Sequence, residues 1–453
     1  SCRFCAQHFH LIKIQGDQFS ISPPRVTSIV IEKRDLDEKL RPVLSALCGR
    51  RAFVAYRRLP DDRVLSIGLN AEVVLNGSMH DKSQAELKRI RSHWASLLRR
   101  AQSQSLQFIV ACDYPGTAAL AAAAQADASA ALADPTQVHV VGSRELSSQP
   151  KRPGGAALVL TAGVSDPQEL LSVSRALRDV QEDGSIAYLS VADLLPSPEL
   201  ARRLRSNITM GQHGPGTFSY STCLELPLDS IEEHPTWTLE RDELVRLRSW
   251  LDDQDRDTPH QIDERIDLLE AAQALGLVDE VFWTTPAGNA LRLRSDFTLA
   301  DRTLEQPTAT QADLLAIIGI TLTALRHREN STRRLVQSAY ERSMLSPLNF
   351  SRFNDGVLQA SILRAARARE LAYGACEGTL SEDMLHILLD MVPGSGRPPE
   401  KSEALLEFLV AFMIKRITLK PEHRKKFLHR LLAATNEGSV ERAMTEYLIS
   451  QQD

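Results

Sequence analysis

Four residues near the start of the sequence have the chemistry of a zinc ligand set. A Cys-x2-Cys pair followed by two histidines supplies the sulphur and nitrogen ligands of a tetrahedral zinc site, and here these residues are Cys2, Cys5, His8 and His10. Two alternatives stay open. A split site would include Cys48, whereas buried cysteines and strand-facing histidines would bind no metal at all. The pattern makes zinc the candidate cofactor of this chain.

A second group of polar residues lies where apolar runs end. Asp113 and Gly116 follow the first of several such runs, and Ser165 and Asp166 come shortly after the third. Ligands of open α/β sheets bind outside the carboxyl ends of the strands, so these residues are the ligand-binding candidates. The second pair also has a structural interpretation, because Ser165 or Asp166 can cap a helix that begins at Pro167.

Two basic stretches are candidate nucleic-acid surfaces. Arg292 and Arg294 lie on the second strand of a predicted wing, where such residues commonly contact phosphates. The other stretch is close to the end of the sequence and contains Lys415, Arg416, Lys420, Arg424, Lys425 and Lys426. The alternative is a charged helix face that contacts only solvent. An aromatic content of 5% leaves few residues for base stacking.

The strand-end candidates require a sheet, and residues 101–195 alternate between strand and helix patterns. Apolar runs predict strands at 106–112, 138–141, 156–160 and 186–191, with helices at 117–132 and 167–180. Apolar strands that are separated by short helices form parallel sheets with both faces covered. The predicted fold class is therefore α/β for the amino-terminal half, with a mainly parallel sheet.

One stretch of this α/β region resembles a phosphoribosyltransferase domain. In that family an aliphatic strand ends in two acidic residues that bind the ribose hydroxyls, and a Thr/Gly loop at a helix N-terminus binds the 5-phosphate. The matching elements are the glycine pair at 154–155, the strand at 156–160, the helix at 167–180 and the Asp-Gly turn at 183–184. Thr161 and Ala162 occupy the positions of the acidic pair. The resemblance therefore implies a version without catalytic activity, and the alternative is an α/β domain without a ligand.

The rest of the sequence divides into further segments. Residues 1–100 are expected to be β-rich and to lead into a helix, 196–236 to be a linker with one short strand near 219–226, 237–305 to form a winged-helix-like module, and 306–453 to form an all-α domain. The wing consists of predicted strands at 278–283 and 291–294 after two helices. More locally, a hairpin is predicted from the segments 52–57 and 64–69, a strand at 71–75 and a helix at 335–345.

A segment of the helical half, residues 348–366, resembles a stretch found in large proteins that are encoded in bacterial anti-phage defence loci. Its Asp355-Gly356 pair predicts the start of a helix, and the small residues Ala360, Ser361 and Ala365 allow close helix packing. Core packing accounts for the same residues without any function. The resemblance implies a role in a multi-protein defence system.

Composition limits the classes to which the chain can belong. Of its 453 residues, 43% are hydrophobic and 25% are charged, which is typical of globular domains and excludes disordered or fibrous classes. The net charge of −5 means that any nucleic-acid contact must use a local basic patch. No apolar run is long enough to span a membrane, and the six cysteines are widely spread. These features predict a cytoplasmic protein without membrane contact.

The leading functional hypothesis is a non-catalytic or regulatory component of a bacterial multi-protein system of the defence type, which acts through protein partners. It rests on the missing acidic pair and on a long helical half without catalytic motifs. One alternative is a phosphoribosyltransferase-like nucleotide enzyme that uses Asp113, Ser165 and Asp166. The other is a nucleic-acid-binding protein that uses the two basic stretches.

Overall fold

A computed structural model gives the fold of most of the chain. It describes residues 12–15, 18–21, 25–76, 84–131, 138–151, 154–181, 183–210, 217–232, 234–272, 274–294, 309–329, 332–338, 341–353, 355–376, 378–394 and 398–451. The predicted zinc ligands Cys2, Cys5, His8 and His10 lie outside these residues. Within them, no group of three or more His, Cys, Asp or Glu side chains is arranged to hold a metal ion. No helix in the described ranges combines the length and apolar character needed to cross a bilayer.

The first part of the chain forms β-hairpins and short helices. An antiparallel hairpin of β1 (Ile12–Gln15) and β2 (Gln18–Ile21) is followed by β3 (Arg25–Ile29) and α1 (Leu40–Leu47). A second antiparallel hairpin of β4 (Phe53–Arg58) and β5 (Val64–Leu69) leads into α2 (Ala71–Asn76) and α3 (Gln84–Ala101). The hairpin predicted from the segments 52–57 and 64–69 is confirmed, and its turn holds Asp62 at a φ of +67°.

The strand predicted at 71–75 is wrong, because these residues form α2. Ala71 and Val74 are both fully buried, and residues three positions apart share one face in a helix but lie on opposite faces of a strand. The β-branched pair Val73-Val74 favours a strand by propensity. Packing of one helical face against the core overrides that preference.

Residues 106–225 form a five-stranded sheet in which all strands are parallel. In chain order its elements are β6 (Leu106–Ala111), α4 (Thr117–Ala131), β7 (His139–Gly142), β8 (Ala156–Val164), α5 (Pro167–Val180), β9 (Ser185–Asp193), α6 (Pro198–Thr209) and β10 (Phe218–Glu225). The strands lie side by side in the order β7-β6-β8-β9-β10. Every residue of the central strand β8 is buried, as expected for a strand covered on both faces. The predicted parallel sheet is confirmed.

The linker predicted at 196–236 is wrong, because these residues complete the sheet. Ser197 caps α6 by accepting a hydrogen bond from the Leu200 N–H at 3.2 Å, and Pro198 takes the first helical position. The chain then returns as β10, which pairs in parallel with β9. The glycines and proline at 211–216 are a turn signal in the sequence, but the strand that follows is stabilised by contacts with distant residues.

The second half of the described chain is mainly helical, as predicted. In chain order it contains α7 (Thr236–Asp253), α8 (His260–Ala272), α9 (Gln311–His327), β11 (Glu341–Leu345), α10 (Leu348–Arg352), α11 (Gly356–Ala365), α12 (Leu380–Asp390), α13 (Leu405–Met413), α14 (Pro421–Leu432) and α15 (Val440–Ser450). Asp355 caps α11 by accepting the Val357 N–H at 3.1 Å, at the helix start that the sequence predicts. The helix predicted at 335–345 is wrong, because this segment ends in the strand β11.

The wing predicted between α8 and α9 is also wrong. Residues 274–294 are all described, and they contain no strand. The Val281 carbonyl accepts hydrogen bonds from Trp237 Nε1 and from Arg265, each at 2.9 Å. The Trp283 N–H donates to the Glu407 carboxylate at 2.7 Å. Buried side chains thus satisfy backbone groups that strands at 278–283 and 291–294 would have paired with each other.

The two halves of the chain share one hydrophobic core. β11 pairs in parallel with β3, so this two-stranded sheet joins the helical half to the first part of the chain. Asn349 fixes this junction, because its side chain accepts the Ile31 N–H at 2.8 Å and donates to the Ile29 carbonyl at 3.0 Å. One apolar cluster extends from Ile29 to Leu448, and a second cluster fills the face of the sheet that α5 and α6 cover.

Candidate ligand-binding site at the carboxyl end of the sheet

The order of the strands creates a crevice beside β6. The chain passes from β6 to β7 on one side and then to β8 on the other, so the connections that leave β6 and β8 diverge. Ligands of doubly wound sheets bind at this switch point, outside the carboxyl ends of the strands. Asp113 and Gly116 follow β6, and Ser165 and Asp166 follow β8. The structure therefore brings these predicted residues to one edge of the sheet.

A cleft of about 750 Å³ opens at the switch point. It is lined by the residues that follow β6, by Arg57 and Arg58 of β4, and by Glu270 of α8. Asp113 and Gly116 are among its lining residues, whereas Ser165 and Asp166 are not. The volume lies in the range of roughly 300 to 1,000 Å³ that is common for small-molecule sites. We call this space the β6 cleft.

Asp113 is held in place by neighbours on both sides. Its carboxylate forms an ion pair with Arg144, and its N–H donates to the Glu169 carboxylate. The Ser143 hydroxyl also donates to Glu169, at 3.4 Å. Burial raises the pKa of Glu169, an effect that the bond from the Asp113 N–H opposes. Glu169 thus ties the loop after β6 to α5, and Asp113 has a cationic partner.

Asp166 acts as the helix cap that the sequence suggests. Its carboxylate accepts the Gln168 N–H at 3.0 Å at the start of α5. The same carboxylate forms an ion pair with Arg63, which also bonds Asp61 at 2.6 Å. Arg63 belongs to the β4–β5 hairpin, so this contact joins the hairpin to the sheet. Both of its interactions are structural ones, and neither faces the β6 cleft.

The connection from β8 to α5 is shorter than the sequence suggests. β8 continues to Val164, so Thr161 and Gly163 lie inside the strand and only Ser165 and Asp166 connect it to α5. The ring of Tyr114 packs directly on Gly163, where a Cβ atom would lie 2.6 Å from the Tyr114 Cζ atom. A glycine is required at this position because the aromatic ring occupies the space of a side chain.

The side chains of the β6 cleft do not include an activated nucleophile. Burial raises the pKa of the Cys112 thiol well above its ordinary value, and the nearby carboxylates of Glu169 and Asp113 raise it further. Burial also raises the pKa of Tyr114 to about 12, and its hydroxyl accepts the Leu69 N–H at 2.8 Å. Both groups therefore remain protonated at neutral pH.

Arg57 is the lining residue that the sequence does not reveal. It is half-buried, and its guanidinium forms no hydrogen bond or ion pair with the described part of the chain. Its neighbour Tyr56 is fully buried, with a φ of +51° and its ring stacked on Trp237 at 5.9 Å. The sequence shows only an arginine pair before a turn, which is also typical of an exposed hairpin.

The predicted nucleic-acid residues do not form one surface. Arg416 is turned inward and donates to the Arg364 carbonyl at 2.9 Å, with only 11% of its side chain exposed. Arg294 lies 3.6 Å from the buried carboxylate of Asp355. Both arginines therefore have partners within the protein, and their contact with nucleic acid stays a prediction. The remaining candidates are the exposed Arg292, Lys415, Lys425 and Lys426 and the half-buried Lys420 and Arg424.

A further polar cluster at this sheet edge was not predicted. The carboxylate of Asp193, at the end of β9, accepts hydrogen bonds from the Ser190 hydroxyl at 2.8 Å, from Arg205 at 3.2 Å and from the Tyr220 hydroxyl. Burial raises the pKa of Asp193, and these donors oppose the rise. An acidic residue directly after a predicted strand is the signal in the sequence. The cluster holds β9, β10 and α6 together.

Comparisons with known proteins do not assign a family. No protein-family model matches the chain, and no curated protein matches it. The function has to be inferred from the chemistry of the β6 cleft.

Proposed function

We propose that this chain is a non-catalytic, ligand-binding component of a multi-protein system, and that its β6 cleft binds a small anion of the nucleotide or ribose-phosphate class. The observation that carries the proposal is Arg57. Its guanidinium lines a cleft at the switch point of a parallel sheet and forms no hydrogen bond or close ion pair in the described part of the chain, although the Glu72 carboxylate attracts it at longer range. A half-buried arginine in such a position favours the binding of a phosphate or carboxylate.

The start of α4 adds to this attraction. Gly116 has a φ of +88° and turns the chain into the helix, and the Thr117 hydroxyl fixes the turn by accepting the Ala162 N–H at 2.9 Å. The first N–H groups of a helix have no partner within the helix and favour anions. Ala118, in the first turn, lines the β6 cleft. Arg57 and the helix terminus thus present positive charge to the same space.

The same residues support binding without turnover. Asp113 is paired with Arg144, and Cys112 and Tyr114 are kept protonated, so the residues that follow β6 offer no free base or nucleophile. The other carboxylate of the β6 cleft, Glu270, is exposed to solvent on α8. The resemblance of residues 154–191 to a phosphoribosyltransferase that lacks the acidic pair supports the absence of catalysis. The resemblance of residues 348–366 supports a place in a bacterial defence system.

Titration of the full chain with ribose 5-phosphate and with adenosine monophosphate tests this proposal. We expect at least one of them to bind, and we expect Arg57→Met to weaken binding by a factor of about ten or more, because a hydrogen bond to a charged group contributes about 1.5–3 kcal/mol. Isothermal titration calorimetry measures the affinity. Arg100→Met, which removes the same charge from the exposed face of α3, is the matched control and should bind as the wild type does.

Two results would contradict the proposal. Failure of the wild-type chain to bind either compound would remove the ligand-binding function. Release of pyrophosphate from phosphoribosyl pyrophosphate, abolished in Asp166→Ala, would instead show an active enzyme of the phosphoribosyltransferase type.

A further inference from the structure

A separate cavity of about 320 Å³ lies where the β4–β5 hairpin meets the helical half. Its polar lining consists of hydroxyls, arginines and two carboxylates, which belong to Ser66, Thr323, Arg326, Arg364, Arg367, Arg416, Asp229 and Glu232. None of its described lining residues also lines the β6 cleft. We call it the arginine cavity. Its volume is at the lower end of the range for small-molecule sites.

Two of the lining arginines are neutralised by carboxylates that lie behind them. Arg326 bonds both oxygens of Glu370, each at 2.8 Å. Arg364 bonds Glu407 at 2.8 and 3.0 Å and lies 2.7 Å from Glu240. These acids do not line the arginine cavity, and they hold the two guanidinium groups in fixed positions.

The charge of Arg416 is less well neutralised than the charges of Arg326 and Arg364. Its ion pair is with Glu232 at 3.5 Å, and it also donates to the Arg364 carbonyl at 2.9 Å. Burial lowers the pKa of Arg416 and raises the pKa of Glu232, so the attraction within this pair does not offset the loss of hydration of either group. The arginine cavity therefore contains a buried cation whose charge is only partly neutralised.

Several buried donors around the arginine cavity have no partner. In the described part of the chain, no acceptor bonds Arg364 Nη1 or Arg416 Nε, and the hydroxyls of Ser66 and Thr323 are also without partners. Buried polar atoms are nearly always hydrogen-bonded, so each of these atoms requires an explanation. Guanidinium N–H groups can only donate. A partner that presents several acceptor oxygens within a small volume fits the two guanidinium groups, and the hydroxyls can donate to it as well.

We infer that the arginine cavity binds an oxyanion of phosphate size, either free phosphate or the phosphoryl group of a metabolite. The oxygens of such an anion accept bonds from Arg364, Arg416 and the two hydroxyls, and its charge neutralises Arg416. Water can accept the same bonds, but it adds no negative charge to the partial neutralisation of Arg416 by Glu232. The most exposed ion pair of the lining joins Arg367 to Asp229, with 51% and 29% of the side chains exposed.

The test is a titration with inorganic phosphate and with ribose 5-phosphate in the Arg57→Met background, in which the β6 cleft is impaired. We expect binding of one equivalent. Thr323→Val keeps the shape of the side chain but removes a donor, and it should lower the affinity on the order of tenfold. Arg416→Met should abolish binding. Arg430→Met, on the exposed face of α14, is the control and should leave the affinity unchanged.

The relative affinities of the two probes identify the source of the anion. Tighter binding of ribose 5-phosphate supports a phosphorylated metabolite, and tighter or equal binding of inorganic phosphate supports the free ion. The inference is overturned if neither probe binds, or if Thr323→Val and Ser66→Ala both retain the full affinity. These two variants decide the outcome even if Arg416→Met does not fold.

Discussion

Glu169 shows how a single buried carboxylate can organise a ligand site. It receives the Asp113 N–H and the Ser143 hydroxyl, and thereby joins the ends of β6 and β7 to α5. Burial favours its neutral form and raises its pKa above the ordinary value of 4.5. A group whose pKa is raised on folding binds its proton more tightly in the folded state. Its favourable contribution is complete below about pH 4.5 and is lost as the pH rises through the folded-state pKa.

The raised pKa of Glu169 predicts that the difference in unfolding free energy between the wild type and Glu169→Gln depends on pH. The glutamine keeps an acceptor oxygen but cannot ionise, so the stability of the wild type relative to the variant should fall as the pH rises from about 4 to 7. Urea unfolding at a series of pH values measures the two free energies. Glu437→Gln, at an exposed position, should follow the wild type throughout. Parallel curves for the wild type and Glu169→Gln would show that Glu169 has an ordinary pKa.

At the scale of elements, β8 depends on the absence of a side chain at Gly163. The Tyr114 ring cannot move away from this position, because its hydroxyl is fixed by the Leu69 N–H at 2.8 Å and the ring itself is buried. A strand in the centre of a sheet usually gains from β-branched residues. Here a glycine lets the loop after β6 pack against the end of β8, next to the β6 cleft.

Gly163→Ala is therefore expected to destabilise the fold by about 1–3 kcal/mol, as overpacking of a closed site usually does. Gly142→Ala is the matched control. A methyl group at Gly142 would meet no neighbouring atom within 4 Å, so this change should alter stability by less than about 0.5 kcal/mol. Chemical denaturation of the two variants gives the comparison. Equal losses would mean that backbone freedom, and not contact with Tyr114, explains the glycine.

The elements that can be predicted from the sequence are those that local contacts determine. The predicted helix at 167–180 has the bounds of α5, because Asp166 and Pro167 mark its start locally. The short strand predicted near 219–226 is confirmed as β10, whereas β11 cannot be recognised in this way, because it is stabilised by a strand that is distant in sequence. The same distinction applies to the β6 cleft. Asp113 follows directly from the end of a strand, whereas the place of Arg57 depends on how the hairpin packs against the sheet.

At the scale of the whole molecule, the described chain is one cooperative body and not two halves joined by a linker. Asn349 satisfies two backbone groups of the segment after β3, and one apolar cluster includes residues from both halves. A change at this junction should therefore affect the stability of the entire fold. Separate domains would respond independently.

Asn349→Ala tests whether the two halves of the chain unfold together. It leaves the Ile31 N–H and the Ile29 carbonyl without partners in a buried place, at a cost of about 1–3 kcal/mol. We expect circular dichroism and tryptophan fluorescence to report coincident unfolding transitions in the wild type, and both to shift together in the variant. Asn436→Ala, at an exposed position, should shift neither. Two separated transitions would contradict a single cooperative unit.

The pairing of β3 with β11 also affects how this protein is synthesised. The hydroxyls of Thr27 and Ser343 lie 3.1 Å apart although 316 positions separate them. The ribosome therefore exposes β3 long before it makes the partner strand, and during that interval the early strand has an open edge that other nascent chains can join. Messages truncated before the codon for Glu341 should yield products that chaperones retain or proteases remove, even though the parallel sheet within them is complete.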